Sequence, residues 1–198
     1  MKKHSHDELM TNWKIAVYES EAGDATRLEE ASNQLQTLPE KVQELVWLAP
    51  GKTHRKRVFQ QMDVTTKELH AEAAEAIDCT KCGHCCTEFN CGTPEGSELT
   101  AIAEYLNEPP EEVASKWKTG SKGRCPMLGE DGRCTVYEVR PDTCRGWPHI
   151  QKDNYLERST GVCSRRCGDC PMIYHLANNI QDRLEINVRD SMKESQKS

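Results

Sequence analysis

All eleven cysteines of this chain fall between Cys79 and Cys170, and no other feature so limits what it can fold into. The first group reads Cys79-Thr-Lys-Cys82-Gly-His-Cys85-Cys86, four thiols in eight residues. Two residues between cysteines let the backbone turn so that both sulfurs face one metal, the knuckle of zinc and iron–sulfur sites. Gly83 permits the tight geometry such a turn needs. The spacing matches the first three cysteines of a bacterial ferredoxin run, but the fourth position is Phe89, so a simple ferredoxin reading fails. Adjacent side chains diverge, so Cys85 and Cys86 are expected to serve different metals or opposite sides of one cluster.

A second group, Cys125, Cys134 and Cys144, is too widely spaced to define a site locally. Tertiary folding must gather it, with the 79–86 knuckle as the natural meeting point. The third group is Cys163-Ser-Arg-Arg-Cys167-Gly-Asp-Cys170-Pro171. Its spacing of three then two is also that of radical-SAM ligands. Those enzymes place the motif early in a long α/β barrel, and too few residues follow Cys170 for one. Three more soft ligands remain. Cys91 is the least patterned cysteine and is set aside.

Disulfide or metal is decided by compartment and count. Residues 1–8 lead into no hydrophobic stretch of a secretory signal, and no apolar run approaches the roughly 18 residues of a membrane span. The expected location is therefore the cytoplasm, where disulfides are not maintained. An odd number of cysteines would also leave one thiol over. The apolar content points the same way. Leu, Ile, Val and Phe together supply 32 of 198 residues, with a net charge of only −6. A chain so poor in apolar residues needs a staple besides its core. A structural zinc–thiolate site supplies roughly 10–16 kcal/mol of apparent binding energy, against about 5–15 kcal/mol for the stability of a whole domain.

The rest of the sequence reads as helix. Leu9, Trp13, Ala16 and Val17, then Leu28, Ala31 and Leu35, then Val42, Leu45 and Val46 recur at helical spacing. Gly23-Asp24, Leu38-Pro39 and Pro50-Gly51 mark boundaries between them. A long helix is expected from about Asp63 to Ile77. The run His54-Arg55-Lys56-Arg57 is short and lies in an acidic half, which favours a solvated helix face over a nucleic-acid footprint. Leu99, Ile102, Ala103 and Leu106 form one apolar face, Pro109-Pro110 ends that helix, and Glu111, Glu112, Val113 and Trp117 continue in another. Glu130-Asp131-Gly132 suits a small hairpin. Leu176, Ile180, Leu184 and Val188 spell a C-terminal helix. The expected fold is mainly α: a helical N-terminal region (1–75), an irregular, cysteine-rich, metal-stapled domain with little strand (76–175), and a C-terminal helix with a polar tail (176–198).

Residues 79–148 closely resemble the CxxCxxCC, or YkgJ-type, zinc/iron-chelating domain family. The shared elements are the Cys-x-x-Cys-Gly-x-Cys-Cys knuckle, a helix opening on Leu99-Thr100, Cys125-Pro-x-Leu128, and Cys134-x-x-Tyr137-x-x-Arg140-Pro141-x-x-Cys144-Arg145-x-x-Pro148. The likeness extends over about residues 79–175 and leaves 1–75 uncovered. It implies a metal-binding domain, described both as zinc-chelating and as iron–sulfur, with some relatives named as Fe–S oxidoreductases and flagellin lysine methylases carrying a similar cluster. It also implies the ligands Cys79, Cys82, Cys85, Cys86, Cys125, Cys134 and Cys144. Seven thiolates exceed one tetrahedral site and fall one short of two, so Cys163, Cys167 and Cys170 are expected to complete the coordination.

All-thiolate ligation is soft and suits both metals. The expected cofactor is an iron–sulfur cluster, of the 4Fe–4S type, or Zn2+, in one or two sites. An iron–sulfur site would fit a redox or protein-modification component acting on a protein partner or substrate. A closed zinc site would make the domain a structural, protein-interaction module without catalysis. His84 sits inside the knuckle, but the surrounding sulfurs suffice; His149 and His175 read as surface or supporting groups. Arg140 and Arg145 suit donation to cluster sulfurs or pairing with acidic neighbours, and Tyr137 and Trp147 suit packing. No hydrolase triad, phosphate loop or dinucleotide loop appears, and there is no nucleic-acid or membrane signal.

Overall fold

A computed structural model describes residues 24–88, 93–119 and 124–196. The expected helix through Leu9, Trp13, Ala16 and Val17 lies outside them, as does Cys91. The described chain is mainly helical, as its sequence implies. Its helices are α1 (Ala25–Gln36), α2 (Leu38–Val46), α3 (Lys52–Ala76), α4 (Cys79–Cys82), α5 (His84–Glu88), α6 (Gly96–Leu106), α7 (Pro110–Thr119), α8 (Asp142–Gly146), α9 (Tyr155–Arg165) and α10 (Pro171–Ser195), with a 3-10 turn at Tyr137–Val139. Among the described residues the only β pairing is the isolated antiparallel bridge between Leu128 and Cys134.

The chain forms two compact units. Asp78–Trp147 is one; the residues before it and Pro148–Ser198 make up the other. In this second, helical unit, α10 packs against α3, α1 and α2, and α9 against α1 and α3. Leu176, Ile180, Leu184 and Val188 recur at every fourth residue along α10 and are wholly buried, the stripe a core-facing helix requires. Ala31 and Leu35 from α1, Leu45 from α2, and Val58, Leu69 and Ala73 from α3 complete this core. Polar contacts fix the registers. Asn187 Nδ2 donates to Thr65 Oγ1 at 2.9 Å, Gln181 Nε2 to the Gln34 carbonyl at 2.7 Å, and Arg183 Nη1 to Glu72 Oε1 at 2.7 Å.

Helix caps follow the sequence signals. The Asp24 carboxylate accepts from Thr26 N–H at 2.9 Å and opens α1. Pro39 occupies the first turn of α2. The long third helix begins at Lys52, not near Asp63. With no breaker after Gly51, the helix continues back through the basic run. His54 turns inward, its Nε2 at 2.9 Å from the Leu45 carbonyl, while Arg55 and Lys56 stay exposed. No helix among the described residues is long and apolar enough to cross a membrane.

The Asp78–Trp147 unit has a smaller core. Ile102 and Ala103 of α6, Val113 and Trp117 of α7, and Cys125, Met127, Leu128 and Val136 form it. Cys86, Leu99, Leu106, Cys134 and Val139 pack on its edge. Residues 129–132 make the expected tight hairpin: Gly129 N–H donates to the Arg133 carbonyl at 2.8 Å, and Gly132 N–H to the Gly129 carbonyl at 3.1 Å.

Candidate metal centre

The knuckle is built from two short helical turns. The Asp78 carboxylate caps α4, accepting from Thr80 N–H at 2.9 Å. Gly83 then ends α4 in the left-handed region, φ 66°, a conformation costly for any residue with a Cβ. Its missing side chain also serves packing, because a Cβ there would sit 2.7 Å from the Gly132 carbonyl oxygen. The hairpin therefore closes directly onto the knuckle. Beyond Gly83, α5 carries Cys85 and Cys86.

Cys86 is the hub. Its carbonyl accepts from Cys125 N–H at 2.7 Å, and its Sγ lies 4.0 Å from Cys85 Sγ. The contact with the Cys125 thiol pulls its pKa down. The Cys85 sulfur, desolvation, and the proximity of Cys85 and Cys134 outweigh that and push it up to about 12. Cys85 and Cys134 both oppose ionisation of Cys86, as expected where like charges share a site. Cys134 is held opposite Leu128 by the single bridge. Cys85 and Cys125 thus adjoin Cys86, and Cys134 packs on the same core edge.

The other three described cysteines of this unit stand on two further elements. Cys79 and Cys82 open and close α4, and Cys144 lies in α8. Asp142 N–H donates to Glu98 Oε1 at 2.9 Å, which ties α8 to the start of α6. Cys79 is exposed as a residue, yet desolvation of its sulfur raises its pKa, with the Arg140 charge acting against it. The Arg140 guanidinium lies 3.9 Å from the centre of the Tyr137 ring, close enough for a cation–π contact. Arg145 instead pairs with Asp142 at 3.6 Å and donates to the Arg140 carbonyl at 3.2 Å. His84 is half-buried within the knuckle.

Cys163, Cys167 and Cys170 belong to the helical unit and are all buried. Cys163 Sγ donates to Tyr155 Oη at 3.2 Å. Sequence reasoning missed Tyr155, although its place two helical turns before Cys163 sets both on one face of α9. His149 and His175 also lie in this unit. Burial, then the nearby Lys152 charge, lowers the His149 pKa, and His175 Nε2 stands 3.5 Å from Glu72 Oε2.

None of the ten described cysteines is joined in a disulfide. Among the described residues no group of three or more His, Cys, Asp or Glu side chains is already poised to hold a metal ion. The donor chemistry is nevertheless of the right kind: Cys85, Cys125 and Cys134 lie near Cys86, and four thiols are soft donors whose protons a thiophilic cation would replace.

Residues 78–164 match the model of the CxxCxxCC family, described as a zinc- or iron-chelating domain. No curated protein and no solved structure matches the chain. The match spans the knuckle, the hairpin and the Arg140-Pro141 block. Over residues 78–164, less than half of the chain, the sequence is thus similar to the CxxCxxCC family, whose domain is described as zinc- or iron-chelating.

Proposed function

We propose that the Asp78–Trp147 unit chelates a single zinc or iron ion through the thiolates of Cys85, Cys86, Cys125 and Cys134, and serves as a structural module. The 4.0 Å between Cys85 Sγ and Cys86 Sγ carries this reading. Sulfurs at about 2.3 Å from a tetrahedral ion stand about 3.8 Å from one another. Two adjacent thiols can therefore share one ion, where the sequence suggested different metals or opposite sides of one cluster. The cation supplies charge compensation and folding energy when bound. The protein does the rest. Gly83 lets the hairpin close, the Cys125 amide grips the Cys86 carbonyl, and the core of Ile102, Val113 and Trp117, on whose edge Cys86 and Cys134 pack, limits solvent on one side of the sulfurs.

A second reading is an iron–sulfur cluster in a redox or protein-modifying component. The ferredoxin-like spacing of Cys79, Cys82 and Cys85 favours it, as does a supply of eight thiols in one unit. In that case Cys79 and Cys82 would join the ligand set. Anaerobic purification, metal analysis and sulfide analysis separate the two. One ion per chain without inorganic sulfide, lost alike in Cys85→Ser and Cys86→Ser, supports the mononuclear site. A brown protein with stoichiometric sulfide refutes it.

A further inference from the structure

The three C-terminal cysteines surround the corner between α9 and α10. Cys163 lies near the end of α9, Cys167 in the turn that follows, and Cys170 caps the N-terminus of α10. Their exposures are 0%, 2% and 6%, and that of Tyr155 is 6%. Cys163 Sγ donates to Tyr155 Oη at 3.2 Å, and Cys167 Sγ donates to the Cys163 carbonyl at 3.4 Å.

A single buried cysteine is ordinarily a small hydrophobe. Three at one helix corner, beside a phenol, make a donor set. We propose that Cys163, Cys167 and Cys170 form a second metal site, lying within the helical unit, for a thiophilic divalent cation of the zinc class with Tyr155 Oη as the oxygen donor.

Several features support this site. Two hydrogen bonds tie Tyr155, Cys163 and Cys167 together, and Cys170 follows Cys167 by three residues at the start of α10. As thiols, Cys163 and Cys167 point at hydrogen-bond acceptors, which keeps the sulfurs from converging. Turning Cys167 from one staggered χ1 well to another moves its sulfur by roughly 3 Å and frees it from the carbonyl. Loading releases three thiol protons to solvent and leaves three thiolates and a divalent ion, a net charge of −1. The N-terminus of α10, equivalent to roughly half a positive charge, adjoins Cys170 and offsets part of it. The site stands on the helical unit alone and does not depend on the Asp78–Trp147 reading.

The test uses the full-length, reduced, metal-free chain with Cd2+ as the probe, read by native mass spectrometry and 113Cd NMR. The wild type should bind one more Cd2+ than the Cys167→Ser/Cys170→Ser variant. A Cys85→Ser/Cys86→Ser variant should keep that ion, with a resonance upfield of an all-sulfur site. Equal Cd2+ content in the wild type and Cys167→Ser/Cys170→Ser overturns the inference, whatever happens at Cys85 and Cys86. If circular dichroism shows that the serine variant has not folded, Tyr155→Phe decides. It keeps every thiol and should shift one 113Cd resonance while sparing the other; an unchanged spectrum overturns the site.

Discussion

Gly83→Ala tests the closest approach in the cysteine unit. At φ 66° an alanine meets the left-handed penalty, about 1–2 kcal/mol. Its Cβ would also lie 2.7 Å from the Gly132 carbonyl oxygen, a backbone atom that cannot swing aside, with Leu128 Cδ1 at 3.5 Å. Moving the hairpin off the knuckle is an overpacking cost of about 1–3 kcal/mol, so the total is about 2–5 kcal/mol. Gly132→Ala is the internal control. Its φ is 79°, but a Cβ there meets nothing within 4 Å, so only the conformational penalty of about 1–2 kcal/mol applies. Guanidinium unfolding of the metal-loaded protein, followed by tryptophan emission, reads both variants. Trp117 is 1% exposed and reports this unit's core, whereas Trp47 is 78% exposed and changes little. Gly83→Ala should lower stability by about 1–3 kcal/mol more than Gly132→Ala, the size of the overpacking cost alone. Equal losses in the two variants would refute the idea that the knuckle and hairpin meet at the missing Cβ.

Other perturbations separate the contributions of core and metal. The metal-free, reduced protein should lose stability as pH rises from about 9 toward 12. Cys86 and Cys167 are both pushed up to about 12, so the folded state holds protons that the unfolded state releases, at up to about 1.4 kcal/mol per pH unit per thiol; thermal melts at stepped pH with chelator present check this. Chelation of the loaded protein should open 78–147 to protease while α3 and α10 stay protected, read by mass spectrometry of the fragments; uniform cleavage would contradict it. Leu184→Ala removes a wholly buried side chain of α10 and should cost about 2–5 kcal/mol, with a similar melting shift in metal-free and loaded protein.

How much of this was legible beforehand depended on distance along the chain. The stripe Leu176, Ile180, Leu184, Val188 named its own helix, because one side of α10 is uniformly aliphatic. The start of α3 was hidden, because its first buried position is His54, which looks polar until the Leu45 carbonyl supplies its partner. At the site, the knuckle and the turn at Gly83 could be read locally. The approach of Gly132 could not, since nothing in Glu130-Asp131-Gly132 says what lies above it. The 4.0 Å between Cys85 and Cys86 was likewise invisible. Adjacency in sequence argues for divergence, and only the turn in α5 brings the two sulfurs together.

The helical unit is assembled from two stretches of chain with Asp78–Trp147 between them. When α10 docks on α3 it therefore closes a loop as long as that whole unit. The entropy of closure rises by about 0.6 kcal/mol for each doubling of a flexible loop. A metal that orders the intervening segment shortens the effective tether several-fold, which lowers the closure cost by about 1–2 kcal/mol. The helices would then gain stability from an ion they need not touch. Occupancy at the sulfurs becomes, through chain connectivity alone, a setting of how firmly the two ends of the protein hold together.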